Sequence, residues 1–258
     1  DGREEATGRG IIYVTLPFYK HGSKVAIQGF GKVGSHTALN AKIAGRGVIN
    51  LMAIGEVERI NGGYKGINFY KEDGGFTPKE IEAMMENGKN RLPRFGIGRD
   101  PRLKKINVSL EGEDPNYKPI LEWDVDILIP AAGPKVITKE NAHKILARTI
   151  IEGANGPITP EAYTLLFNRK NPPDIVPDIV ANAGGITVSY FEMRQAYNPR
   201  GKWDLERTQQ ELKIKMDASF KNVRDLAEKK QTNIVDAAYI NVLQKMSGKA
   251  TGNVVQGS

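Results

Sequence analysis

The segment Gly29-Phe30-Gly31-Lys32-Val33-Gly34 has the residue types and spacing of a turn that can hold a diphosphate. It follows the apolar run Val25-Ala26-Ile27 and precedes a stretch that reads as a helix. Gly29 suits a tight turn out of a strand, Gly31 lets a diphosphate approach the backbone, and Gly34 lets helix and strand pack closely. Lys32, Val33 and Gly34 then place free N–H groups and a partial positive charge toward an anion. Glu56 closes a second apolar run, Val48 to Ile54, roughly 20 residues beyond the last glycine, where a carboxylate can accept from ribose hydroxyls. The bland alternative is a glycine-rich turn in an ordinary βα unit that binds nothing. Strand, turn, helix and acid in this order favour a dinucleotide.

The elements that must position this turn follow from the rest of the pattern. Residues 25–29 read as a first strand, 34–44 as a helix and 48–54 as a second strand. Residues 57–76 read as loop, with Gly62-Gly63 and Gly74-Gly75. Thr77-Pro78-Lys79-Glu80 carries the signature of a helix start, with Thr at the N-cap, Pro at N1 and Glu at N3. A short strand is expected within 105–110. Further strands are expected at 126–130, 149–152 and 175–176, with helices opening at Thr138, at Pro160 and over 186–196. Strands alternating with helices predict an α/β, Rossmann-like, doubly wound and mostly parallel sheet. Before the first strand, Pro17 limits any helix within residues 1–24. Leu205, Leu212, Met216, Phe220, Val223 and Ala227 recur at helical spacing. That stripe is expected to pack on the sheet or a neighbouring subunit. A second C-terminal helix is expected over 233–246. The predicted organisation is a dinucleotide-binding domain over 1–196, a helical segment over 197–246 and a flexible tail over 247–258.

Composition narrows the partners. The 258 residues include no cysteine, which excludes disulfides and thiolate metal sites, and no metal site is expected. No run of about 18 apolar residues occurs, so no membrane span is expected. The formal net charge of +7 keeps nucleic acid under consideration. The densest basic cluster is Arg91, Arg94, Arg99, Arg102, Lys104 and Lys105, interrupted by Pro93, Gly96, Gly98 and Pro101. It reads as an exposed loop, either a solvated face or a patch for a phosphate or large-assembly partner at residues 91–105.

Four further segments carry chemistry: Glu5-Ala6-Thr7-Gly8-Arg9-Gly10, the run Ile127 to Ala132, the run Ile151 to Ala162 containing Glu152-Gly153-Ala154-Asn155-Gly156-Pro157, and the run Pro177 to Glu192. Ala131 and Ala132 permit close approach of a flat ring after their strand. Asn155 follows the next strand on the edge where open α/β sheets bind ligands. Its residue type leaves an orienting amide and a turn residue holding its own loop equally open. Gly184-Gly185 lets the chain pass close to a ligand or simply turn.

Together with the glycine turn, these segments resemble the cofactor domain of glutamate dehydrogenase, in the family that also holds leucine, valine and phenylalanine dehydrogenases. The resemblance runs over roughly residues 2–195. It implies NAD or NADP as cofactor, with Glu56 favouring NAD because a 2′-phosphate would meet its carboxylate. It implies that Thr7, Asn155 and Asn182 line the nicotinamide half of the site, and that Ser189 reaches the substrate's side-chain carboxylate. Oxidative deamination of L-glutamate to 2-oxoglutarate also needs a lysine of lowered pKa and a proton-shuttling acid. In the family these come from an N-terminal substrate domain, so no catalytic residue is expected in this chain. A homo-oligomer, a hexamer by resemblance, in the cytoplasm or mitochondrial matrix completes the expectation. The alternative is an inactive domain of the same descent, kept as a structural or RNA- or protein-binding subunit. His21, His36 and His143 lie outside all these segments.

Overall fold

The computed structural model describes residues 2–20, 22–43, 50–60, 63–71, 74–88, 92, 100–197 and 203–248. Its frame is a seven-stranded sheet. The strands are β1 (Lys24–Gln28), β2 (Asn50–Ile60), β3 (Gly63–Tyr70), β4 (Asn107–Leu110), β5 (Ile127–Pro130), β6 (Thr149–Ile151) and β7 (Asp174–Val176). Their order across the sheet is β4-β3-β2-β1-β5-β6-β7. The strands β2-β1-β5-β6-β7 run parallel, and β3 and β4 add an antiparallel edge. This is the Rossmann-like arrangement expected from the alternation of elements. The chain leaves β1 toward β2 on one side and returns to β5 on the other, so the topological switch point lies between β1 and β5. Ligands in such sheets sit at the carboxyl ends of those two strands.

The apolar runs divide their side chains between two cores because successive residues of a strand face opposite sides. Val25, Ile27, Ile127, Ile129, Ile151 and Val176 point into one core. Ala26, Leu128, Ile150 and Ile175 point into the other. The first core is shared with helices α1 (Arg3–Thr15), α2 (Lys32–Ile43), α3 (Pro78–Gly88), α6 (Gly184–Tyr197) and α7 (Leu205–Lys230). The second is closed by α4 (Pro160–Phe167) and Val235 of α8 (Ile234–Met246), with short 3-10 turns at Ile120–Glu122 and Ala142–Lys144. A four-residue helix, α5 (Asp178–Ala181), follows β7.

Four expectations are corrected. Within the expected loop 57–76, residues 57–60 and 63–70 are strand: β2 continues to Ile60 and pairs antiparallel with β3, with Glu56 opposite Ile67 and Gly55 opposite Asn68. Residues before β1 form a full helix, α1, which ends at Thr15, just short of Pro17. The stripe on α7 does not lie on the sheet. Leu212, Met216, Phe220, Val223 and Ala227 are buried against a helical layer in which α7 touches α1, α5, α6 and α8, and Leu205 stays exposed. The segment opening at Thr138 is a turn followed by a single 3-10 turn, not an α-helix. The start of α3 forms as its sequence signature requires: the Thr77 N–H donates to the Glu80 carboxylate at 2.7 Å and the Glu80 N–H to the Thr77 hydroxyl at 3.3 Å.

The helix α1 is seated by glycines. A Cβ on Gly8 would stand 2.5 Å from the His36 backbone of α2, and one on Gly184 would stand 2.1 Å from the Ala6 carbonyl oxygen. Gly10 faces the Gly184 backbone in the same seam. These are backbone-to-backbone contacts, which cannot relax by a rotamer change. A Gly8→Ala substitution therefore costs about 1–3 kcal/mol of overpacking, against about 1 kcal/mol gained from helix propensity. The expected outcome is net destabilisation in urea unfolding. Gly133→Ala, where no atom lies within 4 Å of the added Cβ, stays within about 0.5 kcal/mol of the parent.

Candidate functional site

The glycine turn sits at the switch point. Gly29 has φ +95°, and a Cβ there would stand 2.8 Å from the Ala132 Cα. The turn after β1 and the Ala131–Ala132 loop after β5 thus meet backbone to backbone. A Cβ on Gly34 would stand 2.0 Å from the Gly29 carbonyl oxygen, so the first turn of α2 rests directly on the turn that precedes it. Gly31 differs from both: nothing lies within 4 Å of its Cβ position. The space above the turn is open at the position through which a diphosphate would approach, while its two flanks are closed by backbone.

The neighbouring strands lock this edge. The Gly29 N–H donates to the Gly55 carbonyl at 2.6 Å, and the Ala131 N–H to the Gln28 carbonyl at 2.8 Å. The Pro130 carbonyl accepts from both Gly153 and Ala154, at 3.0 and 2.9 Å. Because the first N–H groups of α2 have no acceptor within their own helix, they remain available to an anion. A cleft of about 600 Å³ opens here, lined by Arg3, Glu4 and Thr7 of α1 and by Lys32 and Val33 of α2. At its rim Lys32 pairs with Glu4 at 3.8 Å and Arg3 with Glu192 at 3.6 Å. Both pairs are exposed and contribute little to stability.

The other expected site residues distribute around this edge. Glu56 lies one residue past Gly55, beside the turn, and its carboxylate accepts from the Leu92 N–H at 3.1 Å. Phe30 is fully buried in the first core, so only its backbone can meet a ligand. Thr7 stands against Gly185, whose added Cβ would lie 2.5 Å from the Thr7 hydroxyl oxygen. Asn155 and Asn182 are brought together: the Asn182 amide donates to the Asn155 side-chain oxygen at 2.7 Å. Ser189, one turn into α6, donates its hydroxyl to the Gly185 carbonyl at 3.0 Å. The basic cluster is only partly described, since Arg91, Arg94 and Arg99 lie outside the described residues. Within the described part, Arg102 is engaged by Asp100 and Glu86, each at 2.7 Å. His21 and the tail beyond Gly248 also lie outside the described residues.

One residue of the edge escaped sequence reasoning. Glu152 follows β6 and is 1% exposed. Its carboxylate accepts from the Tyr163 hydroxyl of α4 and from the Asp178 N–H of α5 at 2.9 Å. Burial, opposed by these two hydrogen bonds and reinforced by the nearby Asp178 carboxylate, pushes Glu152 up from the ordinary 4.5 to about 7. Burial and the Glu152 carboxylate push Tyr163 well above the usual phenol range. The only sequence sign was its place beside Asn155, because both of its partners arrive from elsewhere in the chain.

The raised Glu152 has a stability consequence. The folded state holds this proton more tightly than the unfolded chain does. Its contribution is therefore fully present below about 4.5 and is lost as pH rises through about 7. In thermal unfolding, the parent loses stability relative to Glu152→Gln between those two values. A constant difference across that window would contradict the assignment.

Comparison with known proteins gives a consistent result. The family model for Glutamate/Leucine/Phenylalanine/Valine dehydrogenase matches residues 1–252. The NAD-specific glutamate dehydrogenase A of Halobacterium salinarum is 36% identical over 253 residues, covering 96% of this chain and 51% of that protein. The glutamate dehydrogenase of Thermotoga maritima is 34% identical over 252 residues, covering 95% of this chain and 54% of that protein. Among solved structures, glutamate dehydrogenase from Peptoniphilus asaccharolyticus superposes with a TM-score of 0.69 at 29% identity, covering 96% of this chain and 54% of that one. The chain spans about half the length of the curated relatives it matches. With the family model matching nearly its whole length and relatives at 34–36% identity, the chain belongs to the glutamate, leucine, phenylalanine and valine dehydrogenase family.

Proposed function

We propose that this chain is the NAD-binding part of a glutamate dehydrogenase that interconverts L-glutamate with 2-oxoglutarate and ammonia. One observation carries the reading: backbone closes both flanks of the glycine turn at the switch point, and only Gly31 opens onto free space. In this reading the amides of the first turn of α2 hold the diphosphate, and Glu56 accepts from the adenosine ribose. Thr7 and the Asn155–Asn182 pair receive the nicotinamide end. When bound, that ring accepts or returns the hydride. Ser189 takes the substrate's distal carboxylate. To donate to it, the hydroxyl must give up its bond to the Gly185 carbonyl. The activating lysine and the proton-shuttling acid belong to the remainder of the protein, as does part of the surface that assembles an oligomer. The relatives from Halobacterium salinarum, Bacillus subtilis and Staphylococcus aureus are named as NAD-specific, which supports NAD over NADP alongside the Glu56 carboxylate.

Titration with NAD and NADP tests this reading, and absence of binding to both overturns it. Gly31→Ala leaves thermal stability near the parent value, because its Cβ enters open space. It weakens NAD binding about tenfold or more by occupying the diphosphate's approach. Glu56→Gln narrows the preference for NAD over NADP by removing the charge that repels a 2′-phosphate.

A further inference from the structure

The segments after β6 and β7 are tied by two hydrogen bonds that share Asp178. The buried Glu152 carboxylate accepts the Asp178 N–H at 2.9 Å. The Asp178 carboxylate accepts the Gly156 N–H at 2.8 Å and its own neighbour Ile179 N–H at 2.7 Å. Beyond these, the Asn182 amide donates to the Asn155 side chain at 2.7 Å. Glu152 itself is held from the opposite side by the Tyr163 hydroxyl. The loop carrying Asn155 and the helix leading to Asn182 are thus tied by the Asp178 carboxylate and by the asparagine pair itself, and the Glu152 carboxylate holds the Asp178 N–H at the start of that helix.

We propose that Glu152 is a positioning residue for the nicotinamide end of the cofactor, its ionised carboxylate holding Asn155 and Asn182 in the paired arrangement that the cofactor binds. The proposal rests on the dinucleotide reading above. The titratable groups that face Glu152 among the described residues are Tyr163 on α4, Asp178 on α5 and Tyr239 on α8. Both tyrosines are pushed upward by burial and by these acids, so both stay neutral donors near neutrality. The proton that comes and goes near pH 7 is that of Glu152. Ionised, it accepts two charge-assisted hydrogen bonds; protonated, it becomes a neutral and weaker acceptor for the Asp178 N–H. The tie between the two loops then loosens, and affinity for the nicotinamide end falls as pH drops through the midpoint.

The test compares NAD with ADP-ribose, which carries the adenosine and diphosphate but no nicotinamide. Dissociation constants of both are measured by calorimetry from pH ~5.5 to ~8.5, bracketing the Glu152 midpoint. For the parent chain, the ratio of the NAD constant to the ADP-ribose constant rises about fivefold toward acid, the difference between a charge-assisted and a neutral hydrogen bond. In Glu152→Gln the ratio is independent of pH and stays at the parent's acid value. In Tyr163→Phe the step moves to higher pH, since the lost hydroxyl had favoured the ionised carboxylate. A step that survives in Glu152→Gln, one that keeps its position in Tyr163→Phe, or equal weakening of both ligands by Glu152→Gln overturns the proposal. Normal ADP-ribose binding with a flat parent ratio sinks this inference alone. Failure of the parent to bind either ligand sinks the dinucleotide reading and this inference with it.

Discussion

The first turn of α2 rests on the end of β1 at backbone distance, so that a methyl group on Gly34 would stand 2.0 Å from the Gly29 carbonyl oxygen. Interiors are packed like crystals, so such a contact transmits position instead of absorbing it. It places the helix N-terminus over the carboxyl end of the central strand. The Gly29–Ala132 contact then brings the loop after β5 to the same point. Everything the site could do with an anion depends on this absence of side chains. The rest of the sheet holds the two strands in register, with Gln28 opposite Gly55 on one side and Pro130 on the other.

The same device recurs one layer out. The helix α1 has unremarkable amphipathic character, yet most of its length is buried because Gly8, Gly10 and Gly184 let three helices meet at backbone distance. Its first turn, with Arg3, Glu4 and Thr7, reaches the rim of the cleft. A helix that precedes the first strand therefore contributes a wall of the site that follows that strand. The Arg9 side chain, buried with α1, pairs with Glu5 at 3.1 Å, and Glu5 also accepts from Gln209 of α7 at 2.7 Å. Removing one member of such a buried group costs more than the group contributes as a whole.

Much of this was legible in the chain itself, and the gaps have physical reasons. The central strands showed because runs such as Ile127-Leu128-Ile129 must fill two cores at once. The α3 start showed because Thr77 and Glu80 form a local, reciprocal pair of hydrogen bonds. The helix α1 was obscured by Gly8 and Gly10, which lower helix propensity while serving a tertiary contact. The β2–β3 hairpin was hidden by glycines and by Asn68, a polar residue that is buried only because its amide reaches the Lys118 carbonyl at 2.8 Å. Glu152 was in view as a letter of a motif, but its environment is made by Tyr163 and by the backbone of Asp178. Burial of that kind has no local signature.

The glycine seam of α1 also bears on how the chain matures. Residues 3–15 pack on α2, which follows closely in the chain, and also on α6 and α7, near the far end of the described chain. Contacts of such long sequence separation form late and slow the search for the native state. During synthesis, part of the helix carrying Ile11, Ile12 and Val14 stays uncovered until α6 and α7 have been made. The nascent polypeptide thus carries a partly uncovered apolar helix while the sheet is made, an interval in which holding factors or premature self-association would compete for it.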